Sequence, residues 1–332
     1  MTDVLLRQVA LVSESSRIST SDLASVSAAL QKQASRDLVQ FWDVKATVDA
    51  FPRLEDIPVG YWPIIVMDDI QTQGAAGVHE DKNGQPFALV TSSDQLEGWS
   101  LTASHEMIEM LVDPFGNRLE AGDSPKADQG RVQILVEACD PSEAANFAYT
   151  VNGVLVSDFY SPRFFDPVAA PGVRYSFTGA IEEPRQVLRG GYLSWHDVAS
   201  DTWWQETWFD GDAPSFRNLG RLSAENGNFR SQIDRLTSQL TMQAQAPGFK
   251  AAKVAGIPAA SIERANGDHA SRLRQQIDGL LYGGRKPQDE AQLAGTGQLA
   301  AFPRAQTDAA KRSKRTAAAQ GLRSAPSLRS VS

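Results

Sequence analysis

Residues 105–109 read His-Glu-Met-Ile-Glu. On a helix, residues four apart share a face, so His105 and Glu109 can point at one ion. Imidazole and carboxylate are both good zinc ligands, at about 2.0 to 2.2 Å. Glu106, one position round, would then stand beside the ion's open position. As a general base it would take a proton from a metal-activated water and later deliver it to a leaving group. The expected cofactor is zinc. A glutamate where a second histidine could stand adds negative charge, which makes the activated water less acidic than in a His-rich site.

A catalytic zinc usually has three protein ligands, so two helical ones leave one to find. Of the other histidines, His79, His196 and His269, only His79 lies near the motif, in the hairpin before it. The better candidates follow the motif in "VEACDP": Glu137 and Asp140. Glu137 is the expected third ligand, with Asp140 either orienting His105 or ligating in its place. Asp113, one turn beyond Glu109 on the same helical face, is a further candidate. It reads at least as well as a polar residue ending a helix before Pro114. His79, Tyr149 and Tyr160 are candidates for steadying an oxyanion.

The segment resembles H-E-x-x-E zincin-like sequences, in which a D-P or N-P step follows the helix and an E-x-x-D step comes later. The Exordium-type family has such an arrangement, matched here by His105, Glu106, Glu109, Asp113-Pro114, Glu137 and Asp140. Over roughly residues 20 to 200 the chain also resembles bacterial and phage-associated proteins carrying "GYWPIIVMDDI", "SHEMIEMLVDPFGN" and "VNGVLVSDF". The resemblance implies a zincin-like domain and a metallohydrolase, a peptidase with a peptide or protein substrate. The departure from H-E-x-x-H bears on peptidase activity more than on metal binding.

The elements that must position these residues alternate between helix and strand. A helix is expected from about Ser21 to Phe41, where Leu23, Val26, Leu30, Ala34, Leu38 and Phe41 share a face. "KATVDAF" and "PIIVMDDI" read as strands, and "GVHEDKNGQPFALVTS" as a hairpin turning at Asn83-Gly84. Within it, "PFALVTS" suits the edge strand that zincins lay beside an extended substrate. Ser100 is the expected N-cap of the motif helix, and Pro114 its limit. A loop from Phe115 to Gly130, a strand in "RVQILVEACDP", and a hairpin turning at Asn152-Gly153 follow. This order predicts an α+β, zincin-like domain with a mixed sheet over residues 1–210. It includes a Trp-rich extension, in which four of the seven tryptophans lie between Trp195 and Trp208 and read as core rather than as a ligand platform.

Residues 211–286 read as helical. Leu219, Leu222, Asn226, Phe229, Ile233, Leu236 and Leu240 fall at heptad spacing within a coiled coil over about 216–243, which would make a homo-oligomer. A lone amphipathic helix folded back on the body gives a similar pattern. Residues 287–332 read as a disordered tail, rich in Ala, Gln, Ser and basic residues. From Ala301 to Ser332, seven Lys or Arg stand against one Asp; the net charge of −8 thus divides into +6 there and −14 before it.

No apolar run approaches the roughly 20 residues of a membrane span, and the N-terminus lacks a basic, cleavable leader pattern. A single cysteine, Cys139, leaves no intramolecular disulfide or all-thiolate zinc site and suits a reducing, cytoplasmic interior. Two rival readings stand beside the enzyme. One is a non-catalytic assembly protein of phage or mobile-element type with a structural or degenerate metal site. The other, ranked last, is nucleic-acid association through "KRSKR", Lys311 to Arg315.

Overall fold

The computed structural model describes residues 6–72 and 75–244, with side chains through 237. The disordered tail at 287–332, the basic Lys311–Arg315 stretch and the helical expectation for 245–286 lie outside the described residues.

The chain opens with a strand, β1 (Leu6–Ser13), then α1 (Thr20–Lys32), β2 (Lys45–Phe51), β3 (Trp62–Met67), β4 (Gly77–Lys82) and β5 (Gln85–Thr91). These strands form one mixed sheet in the order β2-β1-β3-β5-β4. All neighbours are parallel except β4, which runs antiparallel to β5. Asn83 and Gly84 both have positive φ, 56° and 78°, as the two-residue turn between β4 and β5 requires. That hairpin folds β4 outside β5, so β4 rather than "PFALVTS" is the sheet edge. Ile64, Val66, Ala88 and Val90 supply one fully buried face of the sheet. Leu23, Val26 and Leu30 of α1 belong to the same core.

The motif helix is α2 (Leu96–Val112). It starts four residues before Ser100, after Gln95, and has no side-chain cap. Ser100 instead lies inside the helix and donates to Leu155 O at 2.9 Å. The end is as expected: Asp113 leaves the helix at ψ 78° because the residue before a proline avoids helical backbone. From Ala103 onward nearly every residue of α2 is buried, so it is a core helix rather than a surface one. Its polar groups must therefore find partners inside. Ser104 donates to Gln33 Oε1 at 2.7 Å and accepts from Ser157 N at 2.9 Å. Gln33 lies where α1 passes into a π-helical stretch, Gln33–Asp37. The expected helix to Phe41 is thus one run in three geometries, closing with a 3-10 turn at Leu38–Gln40.

A second five-stranded sheet, antiparallel throughout, is built from β6 (Leu119–Asp123), β7 (Arg131–Leu135), β10 (Tyr192–Asp197), β11 (Thr202–Thr207) and β12 (Ser215–Gly220). Between β7 and β10 comes the small hairpin β8 (Tyr149–Val151) and β9 (Val154–Val156), turning at Asn152-Gly153 with φ of 53° and 82°. Trp195 and Trp203 are buried in this sheet, as core residues. The architecture is α+β.

The heptad reading fails over its first half. Residues 215–220 are a strand paired with β11, and helix begins only at α3 (Phe229–Ala244). Ile233 packs on Leu135 and Trp203, with Leu219, Leu222 and Phe229 around them. The described part of α3 is an amphipathic helix folded back on the second sheet, and of the leucines that spaced like a coiled coil Leu219 and Leu222 serve that contact, while Leu236 is exposed. Among the described residues, no helix is long and apolar enough to cross a membrane.

Candidate metal centre

Four elements meet at one buried cluster. Helix α2 supplies His105, Glu106 and Glu109. The segment after β7 supplies Glu137 and Asp140, β4 supplies His79, and the first turn of α3 supplies Arg230. The side chains of Glu106, Glu109, Glu137, His79 and Arg230 are at most 4% exposed, that of Asp140 is fully buried and that of His105 is 13% exposed.

The segment carrying Glu137 and Asp140 is irregular but pinned by its neighbours' backbone. Val136 N donates to Arg118 O, Tyr160 N to Ala138 O, and Leu188 N to Pro141 O, all at 2.8 to 2.9 Å. Gly191 approaches it so closely that an added Cβ would lie 2.5 Å from Pro141 O. These contacts bring a carboxylate 35 residues downstream in the chain to the motif histidine.

His105 Nε2 lies 3.3 Å from Glu109 Oε2 and 3.1 Å from Asp140 Oδ1. Donor atoms at about 2.0 Å from one tetrahedral ion are roughly 3.3 Å apart, so both separations suit a shared zinc. Glu109, Glu137 and Asp140 also gather their oxygens within 4.8 Å of one another. Asp140 Oδ2 and Glu137 Oε1 are buried without a hydrogen-bond partner, Asp140 Oδ1 faces only His105, and Glu106 Oε2 has only the longer approaches of His79 and Arg230, at 3.5 and 3.7 Å. Unpaired buried carboxylate oxygens are costly, and a cation is what would satisfy them. The residues present therefore fit a divalent ion.

His79 makes a second approach to the cluster. Its Nε2 lies 3.1 Å from the Asp113 carbonyl, and its Nδ1 is 3.5 Å from Glu106 Oε2 and 3.8 Å from Glu109 Oε2. With Nε2–H donating to the carbonyl, Nδ1 is left facing the carboxylates. Asp113 thus serves by its backbone; its carboxylate accepts from Arg118 N at 2.8 Å and is not a ligand of the cluster. Of the tyrosines, Tyr149 is spent elsewhere, donating to Asp37 and accepting from Gln33. The Tyr160 hydroxyl is buried without a partner, and burial together with the charges of Glu137, Glu109 and Asp140 pushes its pKa well up.

Arg230 is the residue that sequence reasoning missed. Its Nη1 donates to Glu109 Oε2 and, at 2.8 Å, to Glu137 Oε2. Nη2 lies 3.7 Å from Glu106 Oε2 and Nε 3.6 Å from Asp234. The oxygen of Glu109 that faces His105 is thus also the one that Arg230 holds, while Cys139 N donates to the other at 3.1 Å. Only the position of Arg230 at the start of an amphipathic helix marked it, and the heptad pattern drew attention to the leucines instead.

Electrostatics follow from crowding. Burial raises the Glu109 carboxyl, but Arg230 and His105 outweigh it and hold its pKa well below the usual range. For Glu137, burial and the neighbouring Asp140 and Glu109 outweigh Arg230, and its pKa rises well above that range. Burial lowers His105, yet the charges of Glu109 and Asp140 prevail and raise it well above its ordinary value. Burial, with Glu109 alongside, pushes the Cys139 thiol up, which disfavours the thiolate form that ligates metals. Comparison with known protein families, curated proteins and solved structures gives no match.

Proposed function

We propose that this chain is a zinc-dependent hydrolase of zincin-like plan that acts on a peptide or protein substrate. The observation that carries the reading is His105 Nε2 facing both Glu109 Oε2 and Asp140 Oδ1 at ligand-to-ligand spacing, beside carboxylate oxygens with no partner. His105, Glu109 and Asp140 are the ligands in this reading. Glu137, the third ligand expected from sequence, is the alternative to Asp140: its Oε2 bonds Arg230, as Glu109 Oε2 does, and its Oε1 has no hydrogen-bond partner. A bound zinc would polarise a substrate carbonyl and make a water acidic enough to attack it. Glu106, buried, one residue from His105 and three from Glu109, is the general base in this reading, accepting the water's proton and passing it to the leaving nitrogen. His79 Nδ1 lies 3.5 Å from that carboxylate. Tyr160 is the candidate for the developing oxyanion. The antiparallel edge strand β4 offers unpaired backbone groups to an extended substrate.

Arg230 favours a second reading. A guanidinium bonded to two of the buried carboxylates is itself a resident cation, so the cluster could be structural, in an assembly protein without catalysis.

The test is zinc content by elemental mass spectrometry on the full chain after zinc is supplied, for wild type, His105→Ala and Asp140→Ala. Near-stoichiometric zinc in the wild type, lost in both variants, is expected. Glu106→Gln should keep the zinc and lose about 10²- to 10⁴-fold in hydrolysis of a peptide library. A wild type that holds no zinc would leave the structural reading.

A further inference from the structure

The first turn of α3 reaches the cluster on a slender attachment. Arg230 N donates to Gly116 O at 3.1 Å, Phe229 N to Asn117 Oδ1 at 3.0 Å, and Ser231 Oγ to Glu80 Oε1 on β4 at 3.3 Å. Ile233 is the one fully buried apolar anchor on the described part of the helix, with half-buried Phe229 against Trp203 beside it; Arg235 and Leu236 are exposed. Upstream, the helix is joined to β12 through the largely exposed residues 221–228. A segment so held can leave without dismantling either sheet.

What it delivers is a cation to a contested atom. Glu109 Oε2 bonds Arg230 Nη1 and faces His105 Nε2, and a carboxylate oxygen coordinated by zinc has little left for a guanidinium. Ser231 meanwhile lies against β4, the strand whose open edge would receive substrate. One turn of helix therefore bonds both the ligand oxygen and a side chain of the strand that would receive substrate.

We propose that residues 228–237 form an autoinhibitory plug, with Arg230 standing in for the metal cation, and that zinc and substrate gain the site when this turn lifts. The inference rests on the zinc-hydrolase reading above. While the plug is seated, the binding-competent fraction is small, and apparent zinc affinity falls in proportion to that fraction.

The experiment uses the full-length chain, with zinc chloride as probe. Zinc affinity is measured by competition with a chromogenic chelator for wild type, Arg230→Ala and Ile233→Ala, and hydrogen exchange is followed by mass spectrometry with and without zinc. Ile233→Ala loosens the plug without touching the carboxylates, so it speaks even if Arg230→Ala fails to fold. The expected result is at least tenfold tighter zinc binding in Ile233→Ala and in folded Arg230→Ala. In wild type, zinc should speed exchange across 223–237 and leave β8 and β9 unchanged. Equal affinity in all three proteins, or zinc that slows exchange across 223–237, overturns the plug and leaves the zinc site standing. Absence of zinc from every protein overturns the zinc site and the plug together.

Discussion

Replacing Gly191 by alanine should damage the metal centre from behind. An added Cβ would lie 2.5 Å from Pro141 O, 2.6 Å from Asp140 O and 2.7 Å from the Pro141 carbonyl carbon. All three are backbone atoms, so no side chain can rotate to make room. Nor is the glycine free to retreat: its N–H donates to Leu188 O at 2.9 Å and its carbonyl accepts from Trp208 N at 3.0 Å. The Asp140 turn must therefore move, which draws Oδ1 away from His105. Overpacking of this kind costs about 1 to 3 kcal/mol, and rigid partners place it near the upper figure. At about 2 to 4 °C per kcal/mol for a body of this size, melting should fall by roughly 5 to 10 °C. The assay is a circular-dichroism melt of wild type and Gly191→Ala, with Gly130→Ala as control, since a Cβ at Gly130 meets nothing within 4 Å. Zinc content of the same samples should fall in Gly191→Ala alone. If Gly191→Ala melted with the control and kept its zinc, close backbone approach would not be what positions Asp140.

Two other substitutions separate effects on the site from effects on the fold. Glu206 on β11 is buried with an unpaired oxygen, and burial pushes its pKa from 4.5 up to about 7. The folded state holds this proton more tightly than the unfolded one, so the stability it contributes is present below pH 4.5 and lost as pH rises through about 7. Glu206→Gln should match wild type at pH 4.5 and exceed it by up to about 3 kcal/mol at pH 8 in urea titrations, and a constant difference would refute the assignment. Gly77→Ala on β4 would set a Cβ 2.5 Å from Thr102 Cγ2, 2.7 Å from Glu106 Oε1 and 2.8 Å from Glu106 Cγ. These are side-chain atoms that can turn aside, so hydrolysis should fall at least tenfold with a smaller melting shift than Gly191→Ala; unchanged hydrolysis would remove Glu106 from the chemistry.

Local signals in the sequence were read well where local physics decides. The Asn-Gly turns at 83–84 and 152–153 demand positive φ, and Pro114 forbids further helix; each stands where its residues put it. Spacing also brought His105 and Glu109 together and marked Glu137 and Asp140 as their company. Their placement was beyond it, because it depends on the turn that Gly191 and Leu188 hold from about 50 residues away. Strand β1 was missed because Arg7 and Gln8 interrupt its apolar run, although Val9 to Val12 are fully buried. Strand β12 was taken for helix because Leu219 and Leu222 fit a heptad, and only pairing with β11 reveals the strand. His79 was marked as the one histidine near the motif, but its approach to the Asp113 carbonyl and to Glu106 needs a hairpin laid across α2. Arg230 gave no sign either: its one acidic neighbour in sequence, Asp234 at i+4, reads as an ordinary surface pair, and Glu109 and Glu137 lie far upstream.

The distance along the chain between Arg230 and its partners has a consequence for biosynthesis. Glu109 and Glu137 precede it by 121 and 93 residues. A ribosome therefore exposes both carboxylates long before the guanidinium that neutralises them emerges. Nascent chains fold N-terminal regions first, at about 5 to 20 residues per second, so for several seconds the cluster has no arginine. In that interval burial of α2 is opposed by like charges, which only protons or a captured cation can offset. In the zinc-hydrolase reading proposed above, that interval is when the ion meets least competition for Glu109, before the helix that carries Arg230 has been made.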